Sequence, residues 1–522
     1  MFTPGSPEEL AAFVRIQQRL PTLFQEVVED PRKHHSVVVI PSLTLDPTEL
    51  EKVSGVHHYE ERLLYMLMLL RRPNLRLVYV TSQPLNPDIV DYYLQLLAGV
   101  PGNHARKRLV LLSALDASPT PLSQKVLDRP RLQQRILAAL PDTDSAHLSV
   151  FNSTAIERSL AVALGLPLYA TDPALWDLGT KSGCREIFRE AGVTFPDGYE
   201  RLHSEDDIVE ALEALKANHP DMRKSVVKLN DGFSGEGNAV FRWEGCPSSG
   251  GRQSWIRENL PKLRFEAPQE HWESFKAKYA AMGGVVEQWI EGEDKRSPSC
   301  QCRVNALGQP QTISTHDQVL GGPSGQVFLG CTFPADAEYR LEVQRAGQRV
   351  AEVLAAKGVV GRFATDFVSV RGEHGWIHYA IEVNLRKGGT THPFLTLKFL
   401  TDGTYDGQTG QFLTPTGRPK FYYASDTLQS PLYRGLSPDD LIDIAVYHDI
   451  HFHGASERGV VFHLMGALSE FGKLGLVCIG DNPQQAQFLY KKTVQTLRTE
   501  TRRLHGEREA LKQEAEESQA DE

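Results

Sequence analysis

Four short runs of Val, Leu and Ile punctuate the first part of this chain: SVVVI (Ser36 to Ile40), LRLVYV (Leu75 to Val80), RLVLL (Arg108 to Leu112) and HLSVF (His147 to Phe151). None keeps a strict apolar–polar alternation, so each suits a strand buried on both faces. Helix-forming stretches lie between them, over Tyr59 to Arg71, near Asp88 to Leu97, and ending near Gly165. Buried strands alternating with helices build a parallel, doubly wound sheet. The chain enters this region through a well-signalled helix, with Ser6 as N-cap, Pro7 at the first helical position and Glu9 completing a capping box. No glycine fingerprint follows any of the four strands, which argues against a dinucleotide site there.

At 522 residues and 41% hydrophobic content the chain is long enough for about two to four domains with real cores. A net charge of −10 argues against general nucleic-acid binding. The opening MFTPGSPEEL lacks the basic and apolar regions of a signal peptide, and LLYMLMLL (Leu63 to Leu70) is far too short to span a membrane. Six scattered cysteines do not form a disulfide framework. These features together predict a soluble, cytoplasmic protein.

The texture changes near Thr171. KSGCREIFREAGVTFPDG (Lys181 to Gly198) reads as a short helix stopped by Gly192, and a second helix over Glu205 to Ala217 leads into the strand VVKL. Lys228 stands in that strand among Val226, Val227 and Leu229, where an unpaired ammonium is costly, so it needs an anion unless it snorkels to water. The residues that follow, Asp231, Gly232, Ser234, Gly235, Gly237 and Asn238, form a loop whose backbone N–H groups can approach phosphate without interference from Cβ. Each charge-assisted hydrogen bond to such an anion contributes roughly 1.5–3 kcal/mol. The loop is not a Walker P-loop: the nearest approach, LGTKSG around Lys181, has Thr180 where glycine is required.

VVEQWIEGED (Val285 to Asp294) reads as a strand running into an acidic turn. Further on, Asp366 ends a candidate strand in TDFVSV, while Glu382 and Asn384 alternate along IEVNLR and share one face. Two carboxylates and an amide oxygen suit Mg²⁺ bridging nucleotide phosphates. Arg386, two residues on, is a candidate catalytic cation able to stabilise charge developing during transfer, and Arg303 is a second candidate.

After about Leu400, TDGTYDGQTGQFLTPTGRP suggests loops or a hairpin, followed by strands GVVFHL and LGLVCIG and a helix from about Pro483 to Leu497. The charged tail past Arg498 reads as a frayed helix or a disordered segment. His448, His451 and His453, with His463 nearby, leave zinc binding open, although substrate contact or ordinary packing suits them better because no clear fourth ligand is beside them. Cys300 and Cys302 share one strand face and are expected to pack in a core.

The order of lysine helix, lysine and glycine loop, E-x-W-I-x-G hinge, Asp and E-x-N resembles the ATP-grasp superfamily of carboxylate–amine ligases over about Thr171 to Leu400. The whole chain up to about Leu497, including SLTLDP (Ser42 to Pro47) and HHYEERLL (His57 to Leu64), looks like the pheganomycin-type peptide ligases, and is similar to the C-terminal region of IQ-domain-containing protein H. The resemblance implies an α/β protein: a Rossmann-like pre-ATP-grasp domain (1–170), an ATP-grasp domain (171–400), a small α/β C-terminal cap (401–497) and the charged tail (498–522). It implies that Lys181 and Lys228 touch ATP phosphates, and that adenine binds near Glu287, Gln288 and Ile290. The ribose would meet Asp294 or Glu293, spacing favouring Asp294. It places Asp366, Glu382 and Asn384 where the family holds Mg²⁺. By the same resemblance Gly388, Gly389 and Thr391 border the acceptor pocket, with Thr391 capping a helix N-terminus.

The connection from Asp366 to Glu382 is longer than is usual in that family, and Arg386 replaces a small residue of the dipeptide ligases, so their substrates do not transfer. The expected partners are small-molecule or peptide carboxylates and amines, and related ligases often dimerise, which keeps a homodimer open. Two rival readings stand beside the ligase: a nucleotide-binding regulatory module without activity, and ATP-grasp chemistry on a non-amine acceptor.

Overall fold

The four apolar runs form one parallel sheet, β1 (His35–Ile40), β2 (Leu75–Thr81), β3 (Leu109–Ser113) and β4 (Ala146–Val150), in the order β3-β2-β1-β4. Its register sets Val38 opposite both Val78 and Leu148. These side chains and Ile40, Val80 and Val150 share one face of the sheet and are buried with Phe13, Val126, Ile136 and Leu160, each contributing about 1.5–3 kcal/mol by leaving water. The computed structural model describes residues 2–520 except 31, 46, 52, 233–236, 249, 268 and 322–326. Helix α1 (Pro7–Gln17) is capped by Ser6, and α2 (Ala155–Leu164) is closed by a Thr154–Glu157 capping box and a left-handed Gly165.

The stretch expected as a helix over Tyr59 to Arg71 departs from an α-helix: Val56–Arg71 winds as a 3₁₀ helix. It carries Glu60 beneath β2, where Tyr79 donates to its carbonyl and the Ser82 N–H and hydroxyl donate to its carboxylate.

Clustering of contacts divides the chain into two units, one holding residues 1–170, 330–334 and 389–522, the other 171–329 and 335–388. The second unit begins with α3 (Lys181–Glu190), β5 (Gly198–Leu202), α4 (Glu205–Asn218), β6 (Lys224–Leu229), β7 (Asn238–Arg242), β8 (Arg264–Phe265) and β9 (Gly284–Gln288). Its five strands make an antiparallel sheet in the order β5-β9-β6-β7-β8. The apolar face of α4, led by Leu212 and Leu215, shares a core with Val227, Phe241, Phe275 and Val286.

A second sheet follows in the same unit, from β10 (Lys295–Arg296), β11 (Pro298–Val304) and β12 (Pro310–Gly321). After β13 (Val327–Phe333) come α5 (Arg340–Ala356), β14 (Gly361–Gly372) and β15 (Gly375–Asn384). Strand β14 pairs with β10 and β11 along one edge and with β15 along the other. Helix α5 covers the sheet closely because residue 347 is glycine: a Cβ there would meet Cys300 Sγ at 2.3 Å. Cys300 and Cys302 are therefore buried core thiols, their sulfurs 3.9 Å apart.

The rest of the first unit comprises α6 (Thr391–Thr401), the hairpin β16 (Thr404–Asp406) and β17 (Gln411–Leu413), β18 (Phe421–Gln429), β19 (Gly459–His463), β20 (Lys473–Gly480) and α7 (Pro483–Ala520). Strand β20 lies between β18 and β19, all antiparallel, and residues Cys331–Phe333 of β13 pair with β18. Residues past Arg498, expected as a frayed or disordered tail, continue α7. His448 pairs with Glu500 at 2.8 Å, and among the described residues no group of three His, Cys, Asp or Glu is placed to hold a metal. No helix among them is long and apolar enough to cross a membrane.

Candidate active site

Lys181 is the first residue of α3, one position after the Thr180 cap, whose hydroxyl accepts from the Gly183 N–H. A cation at a helix N-terminus opposes the helix dipole by about 0.3–1 kcal/mol, so its presence there calls for an anion. Glu382 of β15 supplies one, its Oε1 in contact with Lys181 Nζ. Burial pulls the Lys181 ammonium down, but Glu382 outweighs it and leaves the lysine above its ordinary pKa.

Lys228 projects from β6 and pairs with Glu287 of β9 at 2.6 Å, both side chains buried. Glu287 also accepts from Arg185 of α3 at 2.8 Å. Burial alone would raise this carboxyl; Lys228 and Arg185 reverse the sign and hold it ionised below the ordinary range. In an otherwise apolar strand, this lysine thus has a carboxylate partner one strand away.

Asn230, just past β6, ties these elements together. Its carbonyl O accepts from Lys181 N and its side-chain oxygen from the Ser182 N–H and hydroxyl, while its amide nitrogen donates to Met282 O. One side chain and its backbone therefore fix the start of α3, the end of β6 and the approach to β9.

The two lysines line one cavity with Leu229, Gly232, Gly237, Asn238, Ile381 and Glu382. The Gly232 and Gly237 backbones pass closely, a Cβ on Gly232 meeting Gly237 N and Cα at 3.2 Å, and Leu229 N donates to Gly237 O. This is the neck of the glycine loop; Ser234 and Gly235 lie outside the described residues.

Asp366 lies within β14, not at a strand end as its sequence suggested, and its register partners are Glu382 on β15 and Ser299 on β11. Ser299 Oγ donates to Asp366 Oδ1 at 2.6 Å, and Asn384 Nδ2 donates to Oδ2 at 2.9 Å. Burial and the neighbouring Glu382 charge push the Asp366 carboxyl up to about 6, whereas Lys181 holds Glu382 below the ordinary range despite its burial. Two carboxylates facing each other beside an amide oxygen fit a hard divalent cation, which would relieve their mutual repulsion.

Arg386 follows β15, its N–H donating to Asn384 O, and its charge favours the ionised forms of both Asp366 and Glu382. Arg303 sits on β11 opposite Arg362 and donates to Gln311 at 2.9 Å; it is not among the cavity-lining residues above.

A second cavity is bordered by Trp289, Ile290, Glu293, Lys224 and Lys295. Gln288 ends β9 with its N–H on Asp197 O. Asp294 instead pairs with Arg296 at 3.0 Å, so it is Glu293 that borders this cavity. Burial, then the charges of Lys224 and Lys228, lower the Lys295 ammonium. Gly388 belongs to the second unit, and Gly389 and Thr391 to the first. The N-cap of α6 is Thr390 rather than Thr391, which is the first residue within the helix.

Arg185, Asn230, Ser299 and Gln318 (the last hydrogen-bonded to Asp366) were not singled out from sequence. Arg185 had a usable signal, standing four residues after Lys181 in a short helix. The others act through strand pairing, which no local motif announces.

A family model described as IQCH-like, ATP-grasp, matches residues 174–244, and one described as PGM1 C-terminal domain matches residues 440–493. The chain is 31% identical over 464 residues to the L-propargylglycine–L-glutamate ligase of Streptantibioticus cattleyicolor, covering 86% of this chain and 91% of that one. The chain belongs to the ATP-grasp carboxylate–amine ligases. Among its relatives is also the Danio rerio IQ motif-containing protein H, 23% identical over 428 residues, which cover 73% of this chain and 40% of that protein. Two solved structures share the fold of this ATP-grasp ligase. Biotin carboxylase of Campylobacter jejuni, in an ATP complex, has a TM-score of 0.51 at 13% identity, covering 87% of this chain and 90% of that one. The biotin carboxylase domain of the Hydrogenobacter thermophilus 2-oxoglutarate carboxylase, a dimer with MgADP and bicarbonate, has a TM-score of 0.50 at 12% identity, covering 85% and 86%.

Proposed function

We propose that this ligase joins the carboxylate of one amino acid or short peptide to the amine of another through an acyl phosphate, with release of ADP and phosphate. What carries this reading is the convergence of Lys181, Lys228 and Glu382 on one cavity at the neck of the glycine loop, backed by Asp366 and Asn384. The amino-acid substrate class follows the name of the relative that matches most of the chain.

Lys181, Lys228 and the Gly232–Asn238 backbone bind the ATP phosphates, and Ile290, Gln288 and Glu293 or Asp294 border the nucleoside. Glu287 acts by pairing with Lys228 and fixing its position. A substrate carboxylate oxygen attacks the γ-phosphorus, the bond to the β–γ bridging oxygen breaks, and ADP leaves. The amine nitrogen then attacks the acyl carbon, phosphate departs with one oxygen of the original carboxylate, and the nitrogen gives up a proton. The chain's contribution is positioning and charge stabilisation, with Arg386 the candidate cation beside the transferring group. Mg²⁺, held by Asp366, Glu382 and Asn384, would supply further neutralisation of phosphate charge. Gly388, Gly389 and Thr391 remain the proposed border of the acceptor pocket.

Incubation with Mg-ATP, hydroxylamine and pools of amino acids and short peptides tests the reading. Hydroxamate that tracks ADP release with one pool is the expected outcome. Formation of AMP and pyrophosphate in its place would refute it.

A further inference from the structure

Within the first unit, and outside everything described for the nucleotide, Arg62 is nearly buried, its side chain 11% exposed. Its guanidinium lies over the rings of Tyr59, at 4.3 Å, and Phe151, at 4.8 Å. Among the described residues its one hydrogen bond is long, Nη1 to Asp426 Oδ2 at 3.3 Å, and its Nε has no partner. A guanidinium offers five donors in a planar fork, so this arginine is held by aromatic faces while most of its hydrogen-bonding capacity goes unused.

Beside it, His392 in the first turn of α6 and His463 on β19 meet edge to face, ring centroids 4.2 Å apart. Both are buried, and among the described residues neither Nε2 has a partner. Burial, with the Arg62 charge adding to it, keeps both rings neutral. Asp426, also buried, completes the group with an anion. A fork-shaped cation over aromatic rings, a carboxylate and two buried imidazoles match a small molecule that carries both charges.

We infer that Arg62 and Asp426 clamp the zwitterionic head of an α-amino acid, Arg62 taking its carboxylate and Asp426 its ammonium, with His392 and His463 lining the site. It rests on the ligase reading only for the role of that amino acid as a substrate. Arg62 is then a specificity-determining residue: it selects a free α-carboxylate over an ester or amide, because an uncharged group leaves the buried fork unanswered.

Thermal shift of the full chain tests the clamp, using each of the twenty L-amino acids, the corresponding methyl esters, and ADP separately. At least one amino acid is expected to raise the melting temperature while its methyl ester does not. Arg62→Gln should weaken that amino acid about tenfold or more and remove the acid-over-ester preference. Arg62→Lys, which retains charge without the fork, should fall between, and ADP should shift all three proteins alike, showing that each is folded. The clamp is overturned if none of the twenty acts while ADP does, or if the acid-over-ester preference survives in Arg62→Gln. Loss of the ADP shift in the native chain would instead count against the nucleotide site.

Discussion

Lys181 and Lys228 reach the same cavity by different routes, and their partners decide what substitution does. Lys228→Ala removes a proposed phosphate-binding cation but leaves Glu287 its second partner, Arg185. The expected result is a folded protein with ADP affinity about tenfold lower or worse by calorimetry; unchanged affinity would remove Lys228 from the site. Glu382→Gln keeps the shape of β15 and deletes the charge facing Asp366 and Lys181. Turnover should fall by about 100-fold or more with the circular dichroism spectrum retained, and wild-type turnover would contradict the metal assignment.

At this scale the sequence was informative where a residue type is costly without a reason: an ammonium in a Val strand, or alternating Glu and Asn on one face. It was silent on Asn230 and Ser299, whose roles depend on pairings between elements remote in sequence. Ser299 meets Asp366 only because β11 and β14 adopt one register, and strand register is a tertiary property. Between Glu293 and Asp294, spacing favoured the residue that turns toward Arg296, since adjacent side chains in an irregular turn have no fixed periodicity.

Among the elements, α3 sets the position of Lys181, and its first turn lies against the Pro173–Gly179 turn. Gly183 permits this approach: a Cβ there would meet Asp177 O at 2.0 Å, and the obstacle is backbone that cannot rotate away. Gly183→Ala should cost on the order of 2–3 kcal/mol in urea unfolding and weaken ADP binding as well. A neutral effect would show that α3 can shift freely. Strands β1 to β4, β6, β9, β14, β15, β19 and β20 and helices α1 to α4 and α7 were legible because each repeats one simple pattern, a continuous apolar run or a capped amphipathic stretch. The exception, Val56–Arg71, is apolar through most of its length, and a sequence buried nearly all round carries no period from which its winding can be read.

Across the whole molecule, the stability of the first unit carries a pH dependence set by a buried acid beside the parallel sheet. Burial outweighs the Ser82 hydrogen bonds and the attraction of Lys125 and pushes the Glu60 carboxyl up to about 7, from an ordinary value of 4.5. A raised acid binds its proton more tightly when folded, so its contribution is complete below pH 4.5 and is lost as pH rises through about 7. Glu60→Gln removes that titration. Its stability relative to the native chain should therefore improve by about 2 kcal/mol between pH 5 and pH 8 in urea unfolding, and a difference independent of pH would refute the assignment.

Helix α5 and strands β12, β13 and β18 were not singled out from sequence, whereas the order of β1 to β4, β6, β9, β14, β15, β19 and β20 could be read there. That residues after 388 fold back into the same unit as residues 1–170 could not, because it rests on long-range contacts rather than on any local signal.

The chemistry proposed for the site turns on one oxygen atom. With the amino acid that donates the carboxylate, labelled with ¹⁸O in its carboxyl groups, mass spectrometry of the released phosphate follows that atom directly. The expected result is one ¹⁸O in each phosphate formed, alongside ADP, because the acyl phosphate hands a carboxylate oxygen to its leaving group. Unlabelled phosphate, or label recovered in AMP, would contradict the acyl-phosphate mechanism.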